Sequence, residues 1–115
     1  MSRIEGKFLQ AAIEIGLAEA IAETLADIDR AIREYPANRG SRHLARLHEQ
    51  RQSLRHPSLR MTAALVAAIC VADPNKTVCI RPAFAALAES HPELRWFYAM
   101  LPSAVDNEHR LRKAG

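Results

Sequence analysis

The sequence predicts an all-α single domain of five or six helices, built on an N-terminal antiparallel helical hairpin. Three observations carry this prediction. The 115 residues include twenty-one alanines but few valines, threonines or aromatics. Alanine is the strongest helix former, whereas β-branched and aromatic residues favour strands. After Gly16, the apolar residues Leu17, Ile21, Leu25, Ile28, Ile32 and Tyr35 are spaced four, four, three, four and three apart, which makes a stripe along one side of a helix. The internal glycines are only Gly6, Gly16 and Gly40, so few positions suit tight turns. A hydrophobic fraction of 49% and a charged fraction of 25% are those of an ordinary globular domain and exclude a disordered chain.

The first helical pattern covers residues 3 to 35, as one long helix or as two joined near Gly16. Before Gly16 the apolar side carries Ile4, Phe8, Ala12 and Ile15. The stripe rotates around the axis between the halves, which marks Gly16 as a bend or a change of packing partner. Pro36 ends the pattern. The turn "PANRG" follows, and Ser41 is expected to cap a second helix over 41 to 56. Its apolar side is Leu44, Leu47 and Leu54. A short loop between two amphipathic helices gives the hairpin. Residues 59 to 72 are apolar nearly all round, so they are expected to form the central buried helix. Twelve consecutive uncharged residues, 61 to 72, are too few to cross a bilayer.

"DPNKT" reads as a loop and "VCIRP" as a brief extended segment. Pro82 then suits the first turn of a short helix to about residue 89. Ser90 is expected to cap a helix over 92 to 101, and a last polar helix is expected over 104 to 112. The short C-terminal helices thus span 82 to 112. The N-terminus lacks the apolar core of a signal peptide, because Glu5 and Lys7 interrupt it; this points to the cytoplasm. Thirteen arginines against three lysines fit the codon composition of a GC-rich bacterial genome.

Charge is unevenly placed. Residues 1 to 35 carry four basic and seven acidic side chains, 36 to 60 six and one, and 61 to 115 six and five. The run Glu14, Glu19, Glu23, Asp27 and Asp29 contains no basic residue. The arginines of "RGSRHLARLHEQRQSLRHPSLR" could grip phosphates, but helical phasing wraps them around the helix. No aromatic stacking platform accompanies them. The expectation is a charge-complementary hairpin, with Arg39, Arg42 and Arg46 on the outward edge. Arg51 sits among the leucines and needs a carboxylate such as Asp27, or a route to the rim.

Catalytic and metal signals are weak. There is no phosphate-cradling glycine loop, GxSxG elbow or HExxH. His43 and His48 are five apart, which diverges on a helix, and the two cysteines form no CxxC. Glu19 with Glu23, and Glu23 with Asp27, have the i,i+4 spacing of a carboxylate pair, but on an outward face such pairs are solvated charge. Cys79 stands near Lys76 and Arg81, and a Cys70–Cys79 bridge is an open alternative. Helices over 82 to 89 and 93 to 101 have the lengths of a helix-turn-helix, yet the second offers base edges only Arg95.

The same segment is more informative as a binding surface. Leu94, Phe97, Tyr98 and Leu101 share one helical face, and Trp96 and Met100 fall on another. Tryptophan, tyrosine and methionine are enriched at the cores of interfaces. The sequence therefore points to a small non-enzymatic regulator that binds a larger protein, as an inhibitor, anti-activator or adaptor. Trp96, Met100, Tyr98, Arg39, Arg42 and Arg46 are the partner-binding residues, and a homodimer is the expected form. No catalytic residue, metal or cofactor is assigned. Nucleic-acid binding through residues 39 to 60 is the alternative.

Overall fold

The computed structural model describes residues 2 to 103. The described residues form six α-helices and two 3-10 turns, with no strand among them. In order these are α1 (Arg3–Glu14), α2 (Leu17–Arg33), α3 (Ser41–Arg55), α4 (Leu59–Ala72), the 3-10 turn Pro74–Lys76, α5 (Thr77–Ser90), the 3-10 turn Pro92–Leu94 and α6 (Arg95–Ala99). The helix expected over 104 to 112 lies outside the described residues.

Gly16 resolves the first ambiguity. It holds φ at +103° and splits the pattern into α1 and α2. A side chain is disfavoured in this left-handed conformation, so the chain turns where its apolar stripe changes sides. Ser2 caps α1, its Oγ accepting the Glu5 N–H at 3.2 Å. Ser58 caps α4 in the same way, with the Met61 N–H at 3.1 Å.

The main core joins α1, α4, α5 and the C-terminal turn. Phe8, Ala12, Ala63, Val66, Ala67, Cys70, Ile80, Phe84 and Leu87 are wholly buried. The Phe8 and Phe84 rings meet edge to face, centroids 4.9 Å apart, which locks α1 onto α5. His91 adds a polar tie, its Nε2 lying 3.2 Å from Glu5 Oε1 and its Nδ1 3.4 Å from Glu93 Oε1. The 59 to 72 segment is helix α4, but its expected all-round burial is corrected to one face: Thr62, Ala63, Val66, Ala67 and Cys70 are buried, while Ala68, Val71 and Ala72 face outward. It packs beside α2 and α6, and the tightest pairings are α1 with α5 and α2 with α3.

The α2–α3 pair is the hairpin. Its seam is closed at the tip by Tyr35, whose hydroxyl donates to the Gly40 carbonyl at 2.8 Å. Ile28 and Leu54 are buried in the hairpin but stand outside the main core cluster. This part of the molecule is therefore an arm: α3 runs along α2 and reaches α4 at most glancingly.

Three local expectations are corrected. Ser41 is the first helical residue, and Gly40 occupies the cap position without a side-chain bond. Ser90 closes α5 and does not cap the next turn, which starts at Pro92. "VCIRP" is helical throughout, so α5 starts at Thr77, and Pro82 sits inside the helix rather than in its first turn. Thr77, Ile80, Phe84 and Leu87 lie on one side of α5 and are buried; burying that side outweighs the extended preference of Val78 and Ile80. The carbonyl freed by Pro82 belongs to Val78, which is 66% exposed, so water can satisfy it.

Candidate functional site: an aromatic edge and a basic hairpin

The C-terminal turn divides its side chains between core and solvent. Leu94 is 1% exposed and Leu101 7%, while Phe97 and Tyr98 pack against the core cluster. Trp96, at 75% exposed, and Met100, at 47%, point outward. The two-faced division read from helical spacing is thus present. Tyr98 belongs to the inward face: its ring lies 5.8 Å from that of Phe84 and under the Arg81 guanidinium, 5.9 Å from the centroid. Arg81 also donates to the Pro102 carbonyl, which ties the end of this turn to α5. Tyr98 supports the edge, and Trp96 and Met100 form its outer surface. Exposing a tryptophan to this degree leaves a large apolar side chain without burial, which costs roughly 1.5–3 kcal/mol relative to a covered one.

The arginines of α3 are placed differently from the expectation. Arg51 does take a carboxylate, but that of Asp29, with Nε 2.7 Å from Oδ1. The contact lies off the N–H axis, so it is a charge pair and not an aligned hydrogen bond. Asp27 turns instead to Arg30 on its own helix, 4.0 Å away. The remaining acids do not face α3. Glu14, Glu19 and Glu23 surround a separate cavity with Asp73 and Lys76, at the α1–α2 junction. Antiparallel pairing explains this: Arg51 lies opposite Asp29, so α3 ends before it reaches the first turns of α2. The charge-complementary hairpin is therefore corrected to one cross-hairpin pair. Arg39, Arg42, Arg46, Arg55 and Arg60 are all exposed and make no ion pair among the described residues. Residues 36 to 60 hold six arginines and one acid, Glu49, and among the six only Arg51 has a carboxylate partner among the described residues.

Cys70 and Cys79 are free thiols, the first buried and the second exposed. Burial pushes the Cys70 thiol above the ordinary thiol range, which suits an inert packing role. No cluster of three or more metal-ligating side chains occurs among the described residues. No helix among them is long and apolar enough to cross a membrane.

One feature could not be read from spacing. A cleft of about 650 Å³ lies where the hairpin meets α4, floored by Ile28, Leu54, Met61, Ala64 and Leu65. Ile28 and Leu54 were legible as core, but the gap between α3 and α4 depends on the relative placement of three helices.

The fold and site define a small all-α protein with an apolar edge and a basic arm. No protein-family model, curated protein or solved structure matches the chain.

Proposed function

We propose that the protein is a small non-enzymatic regulator that works by binding a larger protein, as an inhibitor, anti-activator or adaptor. The observation that carries this reading is Trp96, 75% exposed beside Met100 on a turn whose other face is buried. Exposed aromatic and methionine side chains on a rigid support are the anchors from which binding hot spots are built. The arginine-rich arm adds steering and specificity towards an acidic partner. A homodimer is the working form within this proposal, because pairing two copies covers apolar edges that one copy leaves wet.

The test is a pair of variants, Trp96→Ser and Met100→Ser, each compared with the parent by light scattering and by partner recovery from the native host. Both should fold normally, since neither side chain is in the core, and both should lose partner recovery or association state. Folded variants with unchanged association and unchanged partner recovery would refute the reading. The nucleic-acid alternative keeps the unpaired arginines in its favour. It predicts binding to random duplex DNA that falls steeply with salt and weakens in the Arg42→Ala/Arg46→Ala double variant.

A further inference from the structure

The cleft at α4 does not stand alone. A second cavity of about 440 Å³ lies further along the α2–α3 seam towards the hairpin tip, and Arg46 and Gln50 line both. Sharing these two side chains, the cavities adjoin along the seam, and together they make a furrow. On α2 its wall runs through Thr24, Ile28, Ala31 and Tyr35, a separation of eleven residues or about 16 Å of helix. The furrow changes from apolar to basic along its length. The α4 end is floored by Ile28, Leu54, Met61, Ala64 and Leu65. The tip end is lined by Arg39, His43 and Arg46, with no carboxylate. Glu49 is the one acid along it, beside the apolar end.

We propose that this furrow docks an amphipathic helix of a partner protein, about three turns long, with apolar anchors at one end and carboxylates at the other. The apolar end takes side chains at i, i+3 and i+4 spacing, as helix-in-groove recognition does. The carboxylates meet Arg39 and Arg46, which make no ion pair among the described residues and are free to form charge-assisted hydrogen bonds. Four observations select this occupant. A nucleic-acid backbone would satisfy the arginines but leave the apolar end unfilled. The furrow's one aromatic, Tyr35, commits its hydroxyl to Gly40 and offers no series of stacking rings. A second copy's Trp96 and Met100 are flanked by Arg95 as well as Glu93 and bring no net negative charge, and its exposed Ile13, beside Glu14, Glu19 and Glu23, offers one apolar anchor where the apolar end takes a row of three. The chain's own residues 104 to 115 carry three Arg or Lys against two acids, the wrong sign for the arginine end.

The inference rests on the protein-binding reading but uses a surface distinct from the α6 edge, so the two can fail separately. The probe is a fluorescein-labelled capped helical peptide with three leucines at i, i+3 and i+4 and glutamates on the same face one turn further on. A control peptide replaces the glutamates with lysines. Anisotropy should give binding in the range of about 1–100 µM for the acidic peptide, weaker by about tenfold or more for the lysine peptide. Ala64→Arg, which fills the apolar end, should weaken binding similarly. So should Arg39→Glu/Arg46→Glu, which changes only exposed side chains and keeps the test valid if the first variant misfolds. Amide shifts should fall on Ile28, Leu54, Ala64 and Arg46, and Trp96→Ser should bind the peptide normally. Absent binding, binding indifferent to peptide charge, shifts on the α6 edge, or duplex DNA displacing the peptide at moderate salt would each overturn the proposal.

Discussion

Gly16 and Gly6 should respond to the same substitution with opposite signs. Gly16 joins α1 to α2 at φ +103°. A Cβ there would stand 3.6 Å from Lys76 Nζ and 3.8 Å from Glu19 Oε2, ordinary contacts, so space is not the obstacle. The cost of Gly16→Ala is the backbone itself, about 1–2 kcal/mol for an L-residue in the left-handed region. Reduced freedom of the unfolded chain returns about 0.4–1 kcal/mol, leaving a net loss of about 1 kcal/mol. Gly6 lies inside α1, and its Cβ would meet nothing within 4 Å. Gly6→Ala should therefore stabilise by about 0.8–1 kcal/mol through helix propensity. The two variants should differ by about 2 kcal/mol. Each 1 kcal/mol should move the thermal midpoint by about 3–6 °C for a chain of this size. Urea and thermal unfolding followed by circular dichroism measure both. Shifts in the same direction, or a neutral Gly16→Ala, would mean that α1 and α2 tolerate a continuous helix and that the bend is not set by this glycine.

Other consequences follow from the same geometry. Phe84→Ala should destabilise by about 3–5 kcal/mol, because its ring is fully buried between Phe8 and Tyr98; Trp96→Ala should change stability by no more than about 0.5 kcal/mol, and denaturant melts of the two variants check the contrast. Arg51→Met should change stability by less than about 1 kcal/mol, since the pair with Asp29 is partly exposed and solvent screens it; a loss several times larger would show that the charge pair organises the arm. An aromatic disulfide reagent should label Cys79 in the native protein and Cys70 only on unfolding, because one thiol is exposed and the other buried. Burial raises the folded-state pKa of Cys70, so its contribution is fully present while both states keep the proton. It is lost as pH rises past the ordinary thiol range, where only the unfolded chain ionises. Melts across alkaline pH should show that decline, and Cys70→Ala should flatten it.

Much of the fold was legible because local rules and packing agree there. Composition and the Leu17-to-Tyr35 spacing specify helices. Gly16 and Pro36 mark breaks by their own backbone limits, and residues 59 to 72 were legible as a core helix, although which of its sides is buried was not, since Ala68, Val71 and Ala72 are exposed. The inward and outward faces of residues 92 to 101 were also legible, since Leu94 and Leu101 separate from Trp96 and Met100, although the single helix expected there is a 3-10 turn followed by the five-residue α6. Where local rules and packing compete, the sequence misleads. The extended preference of "VCIRP" yields to the burial of Ile80 and Phe84, and Pro82 is tolerated because Val78 faces water. The partner of Arg51 is Asp29 and not Asp27 because pairing register fixes which carboxylate stands opposite, and register depends on how two helices slide. The unpaired state of Arg39, Arg42 and Arg46 among the described residues, and the furrow between α2, α3 and α4, depend on the same placement. Sequence determined which residues are helical, which are apolar and which are charged; tertiary structure decided which charges find each other, because only packing sets the distances between helices.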